Sequence, residues 1–189
     1  MKKKLLIIIC ALCSIAGSSA QNIFKKGDKV INAGIGFGNT YHSGSGYSTK
    51  IPAISGSFEM CIIDNLFDEK SSLGVGGFIG YSSSEYKYDY AGSGLYKYKY
   101  SDFILGARGA LHYQFIDNLD TYVGLSLGYD IVSGKASGTY LSTDYSASAS
   151  GIEFGAFLGA RYYFSDQWAG MFELGYDIAI AKVGVAYKF

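Results

Sequence analysis

Apolar and polar residues alternate along most of this chain, and the alternation restarts eight times. Side chains on an extended strand point to opposite faces with period two, so each stretch predicts a strand with one apolar face and one small or polar face. The first runs from Lys29 to Gly38, with Ile31, Ala33, Ile35 and Phe37 opposite Asn32, Gly34 and Gly36. The second, Pro52 to Ile62, sets Ile54, Phe58 and Met60 against Ser55, Ser57, Glu59 and Cys61. In the third, Leu73, Val75, Ile79 and Tyr81 oppose Gly74, Gly76, Phe78 and Gly80; in the fourth, Phe103, Leu105, Ala107, Leu111 and Tyr113 oppose Asp102, Arg108, His112 and Gln114. The fifth pairs Val123, Leu125, Leu127, Tyr129 and Ile131 with Gly124, Ser126, Gly128 and Asp130. The sixth is the most regular, running from Ile152 to Phe164 with Glu153, Gly155, Phe157, Gly159 and Arg161 on its second face. Phe172, Leu174, Tyr176 and Ile178 oppose Met171, Glu173, Gly175 and Asp177 in the seventh, and Val183, Val185, Tyr187 and Phe189 share a face in the eighth. Each stretch is near the ~9–11 residues that a tilted membrane strand needs.

Alternation alone does not say which face is inside, because a soluble barrel with an apolar interior alternates too. Three features point to apolar-out. Gly and Ser dominate the second faces of the first, third and fifth strands, as a narrow interior requires where Arg108, Arg161 and Glu173 must also fit. Aromatics gather at strand ends (Tyr81, Tyr113, Phe115, Tyr162, Phe164, Trp168, Tyr176, Tyr187, Phe189), as interfacial girdles do. The connections are asymmetric: 39–51, 84–100 and 134–150 are long and polar, whereas 116–120 and 165–167 are short. The stretch 63–72 and the tight turn near Ile178–Ala179 depart from that pattern. No apolar-face position carries Arg or Lys, which would cost ~2–4 kcal/mol at mid-membrane. The expected fold is all-β: a transmembrane, eight-stranded, antiparallel up-and-down barrel over 21–189, its termini periplasmic and its long loops extracellular.

The first twenty residues have a different grammar. Lys2-Lys3-Lys4 precedes an apolar run from Leu5 to Ala16, and Gly17-Ser18-Ser19-Ala20 offers the small residues a signal peptidase reads. Residues 1–20 are therefore expected to be a cleaved signal peptide; Ile9 and Leu12 stand before Cys10 and Cys13 where lipoprotein processing needs a small residue. Cleavage takes three lysines with it, leaving 13 basic and 16 acidic groups, too slight an imbalance to suggest nucleic acid. Only Cys61 remains, so no internal disulfide is expected. One proline among 26 glycines and 18 tyrosines suits interior β-ladders, with Pro52 expected at a strand start.

The signal peptide, the opening Lys25-Lys26-Gly27-Asp28-Lys29-Val30-Ile31-Asn32-Ala33-Gly34-Ile35-Gly36-Phe37-Gly38 and the aromatic terminus resemble the small bacterial outer-membrane barrels. The transmembrane domain of outer-membrane protein A and outer-membrane protein X are of this type. The resemblance covers the whole mature chain. It implies contact with outer-membrane lipid and lipopolysaccharide, a monomer, and a terminal strand whose Tyr187 and Phe189 are read by the barrel-insertion machinery. It says little about activity, because the architecture hosts structural, adhesive, pore-forming and enzymatic members.

Three groups of residues carry possible chemistry. Glu59, Arg108, Arg161 and Glu173 point inward at low to middle height, with Asp102, Asp130, Glu153, Asp177 and Lys182 nearer the outer mouth. Such charges could line a gated cation-preferring pore, or lock into a salt-bridged plug, which the narrow interior of eight strands favours. His42-Ser43 and His112 invite comparison with barrel lipid-modifying enzymes, but the spacing of His, Ser and Asn those use is absent, and His42 is expected to be poorly held. No catalytic, metal or cofactor site is expected. Finally, 85–100 alternates Tyr86, Tyr88, Tyr90 and then Tyr96, Tyr98, Tyr100 about a Gly/Ser turn, which predicts a hairpin with all six tyrosines on one face. The leading reading is a structural or surface-interaction barrel that meets an unknown extracellular ligand through its loops. The second is a narrow pore; the third a membrane-embedded lipid-modifying enzyme.

Overall fold

The computed structural model describes residues 23–42, 44–89, 95–138 and 145–189. The expected signal peptide thus lies outside the described residues. Eight strands follow in order: β1 (Lys29–Asn39), β2 (Tyr47–Asp64), β3 (Ser71–Asp89), β4 (Leu95–Ile116), β5 (Leu119–Gly138), β6 (Tyr145–Tyr163), β7 (Trp168–Tyr176) and β8 (Ala179–Lys188). Each pairs antiparallel with its sequence neighbour, and β8 pairs with β1 to close the ring. Closure leaves no strand edge, so backbone donors and acceptors are met within the wall, the condition for β-structure in lipid.

The two rims differ. At one, the start of β1 and the end of β8 lie beside tight connections: β4 and β5 are joined through Asp117-Asn118, where Asn118 takes a left-handed φ of 62° next to a register irregularity between Tyr113 and Ile116. At the other, β3, β4, β5 and β6 run to 19, 22, 20 and 19 residues, against 9 and 10 for β7 and β8. The wall is therefore tall on one side. Much of what reads in sequence as loop at 39–51, 84–100 and 134–150 is strand, because the alternation continues there in Tyr, Lys and Ser rather than in aliphatics.

The expected apolar faces point out. Ile31, Ile79, Leu125, Phe154 and Leu158 are all exposed, Leu125 by 70% and Phe154 by 75%, whereas the alternate positions are largely buried. Two expectations fail. Ile178 is not on the outer face: β7 ends at Tyr176, the chain turns through Asp177, and Ile178 lies in the lumen packed with Ala53, Ile104 and Ala179. Pro52 is not at a strand start. It lies within β2, at a register irregularity between Ile51 and Ile54 where its missing N–H is tolerated.

Inside, backbones approach too closely for larger residues. A Cβ on Gly76 would stand 1.8 Å from the carbonyl oxygen of Phe58, and one on Gly184 2.0 Å from that of Ala33. Neither obstacle is a side chain that could swing away. Gly170, in contrast, faces outward, and a Cβ there would meet nothing within 4 Å. Gly76→Ala and Gly184→Ala should therefore lower the yield of folded barrel several-fold on refolding, read as the heat-modifiable band on gels, while Gly170→Ala leaves it unchanged. Equal yields from all three would show that the interior is looser than described.

Candidate functional site: the filled lumen and the tall rim

The inward faces stack into layers. Nearest the termini, Phe24, from the segment before β1, is fully buried with Val30, Cys61, Tyr163, Ala169 and Ala186. Two bonds hold it there: the Ile23 N–H donates to Gln114 Oε1 at 2.6 Å and Lys188 Nζ to the Ile23 carbonyl at 2.9 Å. The chain closes its own terminal mouth.

Above Phe24 sits Arg161, wholly buried on β6. Its Nε donates to Asn32 Oδ1 at 3.0 Å, and its two terminal nitrogens meet Asp120 Oδ2 at 3.1 Å and Glu59 Oε2 at 2.5 Å. His112 completes the ring. Its Nε2 lies 2.5 Å from Glu59 Oε1 and its Nδ1 2.8 Å from Asp120 Oδ1. Ionised carboxylates only accept, so this geometry fits a ring that donates from both nitrogens, an imidazolium. In the next layer Arg108 reaches Glu173 Oε2 at 2.7 Å and stacks 3.8 Å from the centre of the Phe157 ring. Lys182 joins Glu173 to Asp177, 2.5 Å from an oxygen of each. With His112 charged, four cations (Arg108, Arg161, Lys182, His112) face four anions (Glu59, Asp120, Glu173, Asp177). Two spaces along the lumen, beside Arg108 and beside Tyr41 and Phe78, are about 20 and about 10 Å³, the scale of single water molecules.

The four low-to-middle charges read from sequence thus fall into two neighbouring clusters, Glu59 with Arg161 and Arg108 with Glu173. Three partners escape a reading of the sequence. Asp120 looks like a turn residue, but the two-residue turn carries β5 down to Leu119, and the parity of Asp130 and Ser126 then places Asp120 inside. His112 reads as a lone lumen histidine. Phe24 precedes the first alternating stretch, so periodicity is silent about it.

The tall rim has its own constellation. His42, expected to be loosely held, is anchored: its Nε2 is 3.0 Å from Asp102 Oδ1, and its ring stacks 4.4 Å from that of Tyr100. Tyr47 lies against both, 5.8 Å from His42 and 6.3 Å from Tyr100, and 4.9 Å from Tyr86. Ser82 Oγ donates to the second oxygen of Asp102, and Asn39 bridges Ser82 and Ser84. β3 and β4 pair through this stretch, with Tyr86 opposite Tyr98 and Tyr88 opposite Tyr96. Tyr86 and Tyr100, however, meet through Tyr47 of β2, which the irregular stretch around Pro52 hides from the alternation. Tyr90 and Ser43 lie outside the described residues. Asp130 and Glu153 face inward below this collar and have no ion pair among the described residues.

At the seam, Tyr187 lies 4.9 Å from Trp168 and 6.1 Å from Phe189, and Phe189 exchanges both backbone hydrogen bonds with Lys29. Among the described residues no group of three or more His, Cys, Asp or Glu is arranged to hold a metal ion.

A family model described as outer membrane protein beta-barrel domain matches residues 7–189. No curated protein matches the sequence. Among solved structures, Ail, the attachment invasion locus protein of Yersinia pestis, is similar at 14% identity and a TM-score of 0.51, covering 87% of this chain and 99% of its own. The N-terminal barrel domain of Pseudomonas aeruginosa OprF is similar at 15% identity and a TM-score of 0.42, covering 87% and 98%. Pseudomonas aeruginosa OprG gives 12% and 0.44, covering 90% and 99%. At these identities the likeness is one of fold.

The two arginines should differ in consequence. Arg161→Ala strands Glu59 and Asp120 with only His112 between them and should destabilise the barrel by about 3–5 kcal/mol. Arg108→Ala leaves Glu173 with Lys182 and the Tyr122 hydroxyl, 3.1 Å away, so about 1–3 kcal/mol is expected. Urea unfolding of the refolded variants in lipid vesicles checks the order; a larger loss for Arg108→Ala would contradict it.

Proposed function

Because this chain belongs to the outer membrane protein beta-barrel domain family, we propose that it is a closed outer-membrane anchor that holds a rigid aromatic rim outside the cell, where it contacts an extracellular ligand. The observation that carries this reading is the mismatch between strand length and membrane thickness. A strand crosses in ~9–11 residues, and β4 has 22. On β3 to β5 the strands run on past Tyr81, Phe103 and Ile131 through 82–89, 95–102 and 132–138, roughly 25 Å along the strand, and the next outward positions there are Ser83, Ser101 and Ser133. A pore would not need this wall. Tyr47, Tyr86, Tyr98 and Tyr100 crown it, and tyrosine supplies broad amphipathic contact at small entropic cost.

In this reading residues 1–20 direct export and are removed after Ala20, the terminal rim faces the periplasm, and Tyr187 with Phe189 forms the signal for insertion. The barrel acts as a monomer and catalyses no reaction. Support for the last point is that His42 and His112 are both engaged by carboxylates, and neither has a hydroxyl nucleophile among its described contacts. The pore reading is weaker because Phe24, the two ionic layers and Ile178 fill the lumen.

Epitope tags inserted at 92 and 142 should be labelled on intact cells, and one inserted at 117 only after the outer membrane is opened. The reverse pattern would invert the orientation. In planar bilayers the refolded protein should show no steady conductance steps; regular steps from the wild type would replace the anchor reading with the pore.

A further inference from the structure

Like charges stand opposite one another on the outer face of the tall wall. Lys87 on β3 is the register partner of Lys97 on β4, and Lys99 on β4 is the partner of Lys135 on β5. All four side chains are exposed. Lys50, from the irregular stretch of β2, joins them: its Nζ lies 3.1 Å from Glu85 Oε1, and Lys87 Nζ lies 3.4 Å from the same oxygen. Glu85 is also the register partner of Lys99. Five cations on four adjacent strands therefore share one carboxylate among the described side chains. Like charges directly opposite each other weaken a strand pair. Two such pairs side by side leave a surface short of counter-ions among the described side chains.

The level of the patch says what supplies them. On β4 the outward residues read Lys97, Lys99, Ser101, Phe103, Leu105, and on β5 Lys135, Ser133, Ile131, Tyr129. Lys99 and Lys135 stand four residues above Phe103 and Ile131, ~13 Å along a tilted strand, which is the headgroup zone just outside the hydrocarbon. Directly below on β2 to β4, Gly56 and Gly77 face outward between Ile31, Phe58, Ile79 and Leu105 and leave a groove of about 670 Å³ in the wall. Its upper end at Leu105 is six residues, ~20 Å along the strand, from Lys99. An acyl chain hanging from a phosphate at the lysines would run down into it.

We propose that Lys50, Lys87, Lys97, Lys99 and Lys135 form a site for the phosphate groups of an anionic lipid in the adjoining leaflet, whose acyl chain occupies the groove beneath. A soluble polyanion matches the charge but has no use for the groove or for the headgroup depth. The proposal rests on the anchor reading only for which leaflet supplies the lipid; under that reading it is the outer one.

The test uses refolded protein in neutral detergent and native mass spectrometry, with lipid A, chemically dephosphorylated lipid A and dextran sulfate as probes. Wild type should retain lipid A and hold the dephosphorylated form about tenfold less well or worse. The double variant Lys97→Glu, Lys135→Glu turns both like pairs into opposite pairs. It should keep or raise thermal stability in detergent while losing lipid A about tenfold or more. Lys97→Arg with Lys135→Arg should retain it. Equal retention of the two lipids, or undiminished retention by the Glu variant, would overturn the proposal. So would dextran sulfate that binds without competing with lipid A and depends on the same lysines. Lipid A retention as expected, with tags at 92 and 142 hidden on intact cells, would sustain the site and overturn only the orientation.

Discussion

Peptide groups in a bilayer have no water to turn to, so a β-sheet survives there only if its edges meet. Here they meet after eight strands, with Lys29 and Phe189 bonded across the seam. That choice dictates the interior. Eight strands enclose a space that side chains alone can fill, and in this chain some inward positions tolerate no side chain at all, as Gly76 and Gly184 do. The remaining volume holds two arginines, a lysine and a histidine, charges that would be costly to bury singly. Each is matched by a carboxylate from a different strand. Arg161 alone ties β6 to β1, β2 and β5. The charged layers thus stitch opposite sides of the wall together while they fill the lumen.

How much of this can be read from the chain depends on what kind of signal each feature leaves. Parity is strong wherever aliphatics mark one face, so the strands, their order and the inward direction of Glu59, Arg108, Arg161 and Glu173 are legible. It fails where the backbone departs from two-residue periodicity. Tyr47 is lost because β2 is irregular around Pro52, and Ile178 falls on the wrong face because the strand ends two residues earlier and the chain turns. Asp120 is lost for the opposite reason, a turn tighter than expected. Phe24 and His42 belong to no strand. Their partners, Arg161, His112 and Asp102, lie roughly 60 to 140 positions away in sequence, and local pattern carries no information about such contacts.

The membrane part of the barrel is a short cylinder, but the wall built on it is not. On β3, β4 and β5 the outer face passes from apolar residues through Ser83, Ser101 and Ser133 to lysine, by way of Glu85 on β3, while the inner face of β4 passes from Ile104 through Asp102 to Tyr100 and Tyr98. Both faces change chemistry without interruption of the hydrogen-bonded ladder. The result is a stiff extension with cations toward the lipid surface and aromatics toward its axis, braced by Tyr47 and by His42 on Asp102. A rim of this kind can present a fixed surface because its order comes from the sheet and does not await a partner.

The continuity of that ladder is the central claim, and amide hydrogen exchange in lipid nanodiscs with a soluble paramagnetic chelate present tests it most directly. Amides 83–88 and 96–101 should exchange as slowly as those at 105–111, yet be broadened by the chelate while 105–111 are not. Fast exchange at 83–88 and 96–101 would mean that the wall ends at the membrane, and the account of a rigid displayed rim would be wrong.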